Sequence, residues 1–244
     1  GDGGTPPRAA ARRAAGDTIP NRDFVLRYRV SGGQIKAGLI THRDERGGFF
    51  SLVIAPPADL RYTERGPVEL VFVIDCSGSM NGQPLELAKR AVTNALRQLR
   101  PEDTFQIIRF SDSCAFMSSG PLEASDRNIT QGESFVRGLQ ASGGTVMLNG
   151  LEPALELRGD WNRTRFVCLV SDGLLGNEPE VLEQLKRKLG DSRVFAMGIG
   201  SSPNRTLMNA MARVGRGAAA YIASERDAAE MTNLFIERGS SAAR

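Results

Sequence analysis

The chain has 244 residues, of which 41% are hydrophobic and 24% charged, with a formal net charge of +3 and a pI near 9.0. These are globular values that exclude a disordered or fibrous protein, and the length accommodates one α/β domain with a smaller attached module. Only four of the 31 basic residues are lysine and no stripe of arginine is interleaved with aromatics, which excludes a nucleic-acid surface. No apolar run reaches transmembrane length, so no direct membrane insertion is expected.

The Gly1 start carries neither an initiator methionine nor a signal peptide, and the chain is expected to be part of a longer protein. Residues 1–17 are Gly, Pro, Ala and Arg in low-complexity order and are assigned as a linker. Residues 18–67 turn to period two. Phe24, Leu26, Tyr28 and Val30 alternate with Arg27 and Arg29, followed by Ile35, Ala37 and Leu39, then Phe50, Leu52 and Ile54. Ser31-Gly32-Gly33 and the polar stretch His42 to Gly48 separate these runs, which predicts a small antiparallel β meander. Three such strands cannot close a core alone.

From Val68 onward strands and helices alternate. Leu70-Val71-Phe72-Val73-Ile74 predicts a buried strand ending at Asp75, and Leu85, Ala88, Val92, Ala95, Leu96 and Leu99 recur at helical spacing. Strands are predicted at residues 104–110, 165–170 and 194–199, with a short one near Ala220. Helical stretches fall at 134–139, 147–157, 178–189 and 205–214. Ser224 and Asp227 form a capping box opening a last helix to Arg238, with Ala228, Met231, Leu234 and Phe235 on one face. The fold class is α/β, a doubly wound, mostly parallel sheet over residues 68–238, preceded by the meander and followed by a tail at 239–244.

Three short pieces at element ends carry the chemistry: Asp75-Cys76-Ser77-Gly78-Ser79, Gly143-Gly144-Thr145 and Ser171-Asp172-Gly173. Asp75 and Asp172 each end a continuous apolar run, which places both at the carboxyl ends of buried parallel strands, where open α/β sheets bind ligands. Asp75, Ser77, Ser79, Thr145 and Asp172 would together offer hard oxygen donors to one divalent cation, Mg2+ or Mn2+ in preference to Ca2+. With neutral hydroxyls dominating, the cation keeps affinity for one more anionic oxygen, the Asp or Glu carboxylate of a protein ligand. Asp, Ser and Gly also cap helices after strands, and Asp-x-Ser-x-Ser alone fits that plainer role equally well. The three loops in one sheet favour the site.

The run Val71-Phe72-Val73-Ile74-Asp75-Cys76-Ser77-Gly78-Ser79-Met80, with Gly143-Gly144-Thr145 and Val170-Ser171-Asp172-Gly173, resembles the von Willebrand factor A domain and its metal-ion-dependent adhesion site. The resemblance implies that Ser77, Ser79 and Thr145 contact the metal directly or through water. It implies also that Asp75 coordinates or anchors the loop, that Asp172 acts through water, and that the last helix moves with the loops. Asn81, Gly82 and Gln83 stand where the family's neighbouring calcium site needs acidic residues, so that second site is not expected. The segments Asn21 to Tyr28 and Thr41 to Gly48 are similar to the tail of a vault and inter-alpha-trypsin (VIT) domain preceding an A domain. Bacterial surface proteins resembling inter-alpha-trypsin inhibitor heavy chains have this order, which implies an extracellular or cell-surface location.

Other chemistries are poorly supplied. His42 is the only histidine and falls in a polar stretch, the Walker phosphate-loop pattern is absent, and Cys76 lacks a basic neighbour in sequence. Cys76, Cys114 and Cys168 form no even framework, so no disulfide is expected. The sequons at Asn128, Asn162 and Asn204 match chance occurrence. Asp112, after the strand ending at Phe110, is assigned to a surface loop in preference to the rim of the site. The expected function is a non-enzymatic, metal-dependent protein-binding module. The alternatives are a phosphoryl-transfer enzyme of the haloacid-dehalogenase type, which needs a second Asp where Ser77 stands, and an intramolecular assembly or regulatory domain.

Overall fold

The computed structural model describes residues 36–55, 66–160, 162–173 and 177–228, and the chain divides into two compact units, Gly1–Asp59 and Leu60–Arg244. In the first unit, β1 (Lys36–Asp44) and β2 (Gly47–Ala55) form an antiparallel hairpin with Asp44 opposite Gly47. The polar stretch from His42 is therefore not a loop. The strands run on to a two-residue turn, because the Asp44 carboxylate accepts the Arg46 backbone N–H at 2.8 Å and its guanidinium at 2.6 Å, closing the chain locally. Leu39, Leu52, Phe50 and Ile54 share one face through the cross-strand register, and all four are exposed. The predicted strand at Phe24 to Val30 lies outside the described residues.

The second unit is the expected doubly wound sheet. Its strands are β3 (Val68–Asp75), β4 (Thr104–Phe110), β5 (Cys114–Phe116), β6 (Leu122–Glu123), β7 (Thr164–Ser171), β8 (Arg193–Ile199) and β9 (Ala219–Ile222). The order is β5-β4-β3-β7-β8-β9, with β6 also paired to β4. The pairs β3–β4, β3–β7, β7–β8 and β8–β9 are parallel, while β5 and β6 are antiparallel to β4. Cys114, which follows β4, opens the short edge strand β5.

Both faces of the central strands are buried, which is why they read as unbroken apolar runs. Phe72, Ile74 and Cys76 point to one core with α1 (Gln83–Leu96) and Val136 of α2 (Asp126–Arg137). Val71 and Val73 point to the other, under α3 (Leu148–Glu156), α4 (Glu178–Lys188) and α5 (Arg205–Val214). Helix α2 starts eight residues before the predicted stretch. Ser125 caps it by accepting the Asn128 N–H, and only Gly132 and Val136 are buried along it, so its apolar period is faint. The capping box of the last helix forms, with Asp227 accepting the Ser224 N–H at 2.8 Å and donating its own N–H to Ser224 Oγ at 3.3 Å. Residues 225–228 are helical, and the rest of the predicted segment to Arg238 lies outside the described residues.

The chain leaves β3 for β4 on one side and returns across it to β7 on the other. Such a reversal opens a crevice at the carboxyl ends of the strands. No helix among the described residues is long and apolar enough to cross a membrane.

Candidate metal centre

The crevice is built around Asp75, the last residue of β3, which is fully buried. One carboxylate oxygen accepts the Ser77 backbone N–H at 2.9 Å, an Asx turn that swings the chain out of the sheet, and the other accepts the Ser171 hydroxyl at 2.6 Å. A single 3-10 turn, Gly78–Met80, follows, and Met80 is buried beneath it as an anchor. The turn brings Ser77 Oγ and Ser79 Oγ to 3.2 Å from each other, with Ser77 buried. The alternation Asp75, Ser77, Ser79 thus converges as the spacing suggests.

The second loop is tied to the first through its backbone. Ser142 donates its N–H to Cys76 O at 2.7 Å, and Gly78 donates to Gly143 O at 2.9 Å. On the far side Val146 donates to Ser111 O at 3.2 Å and Gly144 donates to Asp112 Oδ1 at 2.9 Å. Thr145, half-buried, is held between these pins. The loop needs glycine at residue 143, where φ is +79° and a Cβ would run into the Asp112 carboxylate. Asp112 is therefore more than a surface loop residue, because it fixes the backbone that presents Thr145.

The third loop leaves β7. Asp172 is 7% exposed, and its backbone oxygen accepts the Asn204 N–H at 2.8 Å. Ser171 Oγ accepts the Gly173 N–H at 2.9 Å while donating to Asp75, so one hydroxyl couples the ends of β3 and β7. Asn204 in turn caps α5 through Leu207 N and reaches Glu178 at the start of α4. Ser171 and Asn204 are positioning residues to which sequence reasoning gave no role. Ser171 lies inside the Ser171-Asp172-Gly173 motif, and Asn204, besides its sequon, carries the generic signal of an asparagine before a helix.

Burial pushes the Asp75 carboxyl above its ordinary range, against hydrogen bonds from Ser171 and Ser77 that favour the charged form; the Asp172 charge adds to the upward push. Among the described residues neither oxygen of Asp75 is paired with a cationic side chain. Two buried carboxylates and facing hydroxyls are the donor set of a hard divalent cation. Among the described residues no group of three or more His, Cys, Asp or Glu gathers to hold a metal, so the hydroxyls must form most of such a shell. Cys76 is buried and its thiol is pushed up to about 11, chiefly by desolvation, which removes it as a nucleophile. His42 is exposed in β1, 3.8 Å from the Asp44 carboxylate.

A family model described as the von Willebrand factor type A domain matches residues 68–221. The chain belongs to this family. Mouse inter alpha-trypsin inhibitor heavy chain 4 is 28% identical over 232 residues, covering 87% of this chain and 23% of that protein. The chain spans between 18% and 25% of the length of the first curated relatives it matches. A von Willebrand factor type A structure from Catenulispora acidiphila superposes with a TM-score of 0.67 at 18% identity, over 86% of this chain and 47% of that one. Proximal thread matrix protein 1 of the mussel byssus, solved with a zinc-occupied MIDAS motif, superposes with a TM-score of 0.56 at 18% identity, over 71% of this chain and 46% of that one. These two likenesses speak to the fold.

Proposed function

We propose that this von Willebrand factor A domain is a non-enzymatic, metal-dependent protein-binding module for adhesion or assembly, holding Mg2+ or Mn2+ through Asp75, Ser77, Ser79, Thr145 and Asp172. The observation that carries the reading is the buried carboxylate of Asp75, without a cationic side-chain partner among the described residues and set against the paired hydroxyls of Ser77 and Ser79. A bound divalent cation supplies an open coordination position for an Asp or Glu oxygen of a partner. The chain's own part is preorganisation. Ser171 fixes the Asp75 rotamer, Asn204 holds the Asp172 loop to α4 and α5, and Asp112 holds the Thr145 loop. The zinc-occupied MIDAS motif of proximal thread matrix protein 1 supports divalent-metal binding in this fold.

Ser77 in place of a second aspartate counts against phosphoryl transfer, since no acid/base carboxylate follows the first. Residues 18–67 are read as the tail of a VIT-like module. The similarity to inter alpha-trypsin inhibitor heavy chain 4 over 87% of this chain extends beyond the A domain and supports this, as do the exposed apolar residues of the hairpin. An extracellular or cell-surface location is part of the same proposal. The test is Mg2+ titration by calorimetry on wild type and on Asp75→Asn and Thr145→Ala, with a carboxylate peptide added to each. Binding of peptide only with Mg2+, and its loss in both variants, is expected. Mg2+ binding that survives in Asp75→Asn overturns the reading.

A further inference from the structure

A cavity of about 470 Å3 reaches the start of the Thr145 loop through Ser142, and the carboxylate-capture reading leaves it without a use. It is lined by Arg109, Ala115, Phe135, Leu139, Gln140 and Ser142. Arg109 belongs to β4, where it stands beside Ile74 of β3 and Ala115 of β5, and it is half-buried. Ser142 is bonded to Cys76, the residue between Asp75 and Ser77, and immediately precedes Gly143.

The guanidinium of Arg109 has no hydrogen bond and no ion pair among the described residues. Arg90, Arg97, Arg163 and Arg165 each meet a carboxylate. A half-buried guanidinium keeps five donors on a planar fork, and with no protein acceptor among the described residues those that face the cavity are open to an acidic ligand. Helix α2 ends at Gly138 on the cavity wall, and its negative dipole end makes the charge tolerable there. No helical carbonyl accepts from Arg109, so its fork stays available for bidentate capture of a carboxylate.

Building on the carboxylate-capture reading, we propose that Arg109 and this cavity form a second subsite, which takes another acidic side chain of the same bound protein segment. Ser142, on the cavity wall, lies three residues from Thr145 and so at most about 11 Å away. An extended partner segment covers about 10 Å in three residues, so a second Asp or Glu two or three positions from the first is within reach of that wall. Arg109 is a specificity-determining residue, reading a pair of acids where the metal loops alone read one.

The test uses short capped glycine-serine peptides, titrated by NMR into the full chain with Mg2+ present. One peptide carries a single Asp, and the others add a Glu two or three positions to either side. At least one two-acid peptide is expected to bind about tenfold tighter than the single-acid peptide. That advantage should vanish in Arg109→Gln and return in part in Arg109→Lys, while Arg187→Gln, a charge-matched change on the exposed side of α4, keeps it. Arg109→Gln should leave single-acid affinity unchanged. An advantage that persists in Arg109→Gln, whatever its urea midpoint, overturns the subsite, as does the absence of any two-acid advantage in wild type. In those cases single-acid binding still upholds carboxylate capture. Failure of the single-acid peptide to bind wild type overturns carboxylate capture and the subsite with it.

Discussion

Replacing Asp112 by alanine removes one hydrogen bond, from Gly144 N–H to a charged oxygen at 2.9 Å, and leaves the other three ties of the Thr145 loop in place. The backbone oxygen of Asp112, which accepts Asn149 Nδ2 at 2.6 Å, is also untouched. A hydrogen bond to a charged group contributes more than a neutral one, but Asp112 is exposed, so the loss should fall at the low end, about 1 kcal/mol. For a domain of this size that lowers Tm by about 3 °C. The unpinned loop recovers entropy in the cation-free state, which caps the loss of stability. It must be ordered again when a cation binds, so Mg2+ affinity should weaken by about fivefold. Calorimetric Mg2+ titration and a thermal melt on Asp112→Ala measure both numbers. Lower stability with Mg2+ affinity within about twofold of wild type would mean that the Thr145 loop is no part of the site. No change in either would mean that the Asp112 tie does not form in solution.

Burial holds the Asp75 carboxyl above its ordinary value of 3.8. The native state therefore binds this proton more tightly than the unfolded state, and the stabilisation present below 3.8 is lost as pH rises through the native value. In EDTA, Asp75→Asn should melt above wild type at pH 7 and the gap should close on acidification; Mg2+ should raise only the wild type. A wild type more stable than Asp75→Asn at pH 7 in EDTA would contradict this. At pH 8 a thiol reagent should label Cys114 in the native chain and spare Cys76, pushed up to about 11, and the fully buried Cys168; rapid labelling of more than one thiol would count against the described packing. Arg165→Met should destabilise the fold by about 3 kcal/mol, because it strands Glu69, 3% exposed, without its ion-pair partner. Urea melts check the loss, and Mg2+ affinity should hold, since that pair sits near the amino ends of β3 and β7.

The parallel strands were legible because burial on both faces leaves continuous apolar runs that stop where the sheet stops. Leu70 to Ile74 stopping at Asp75, and Phe166 to Val170 stopping at Ser171, mark the ends of β3 and β7, from which two loops of the candidate site leave. The helical period of α1 was equally plain, with Leu85, Ala88, Val92 and Leu96 all buried. Asp112 was harder to read. An aspartate after a strand looks the same whether it closes its own turn or, as here, reaches a loop 32 residues onward. Arg109 was hidden for a related reason. Its cavity is formed with the end of α2 and the three-residue β5, elements with almost no periodicity to read. The hairpin turn was placed too widely because charged residues within an exposed strand look like loop, and only the Asp44 and Arg46 contacts mark the true corner.

Crystals grown with Mn2+ and measured at an anomalous wavelength test the central claim most directly. The account predicts one anomalous peak in the von Willebrand factor A domain, about 2.2 Å from Ser77 Oγ and Ser79 Oγ, with Thr145, Asp75 and Asp172 around it directly or through water. A peak elsewhere in the domain with none at these loops, or intact loops with no peak at saturating Mn2+, would contradict it.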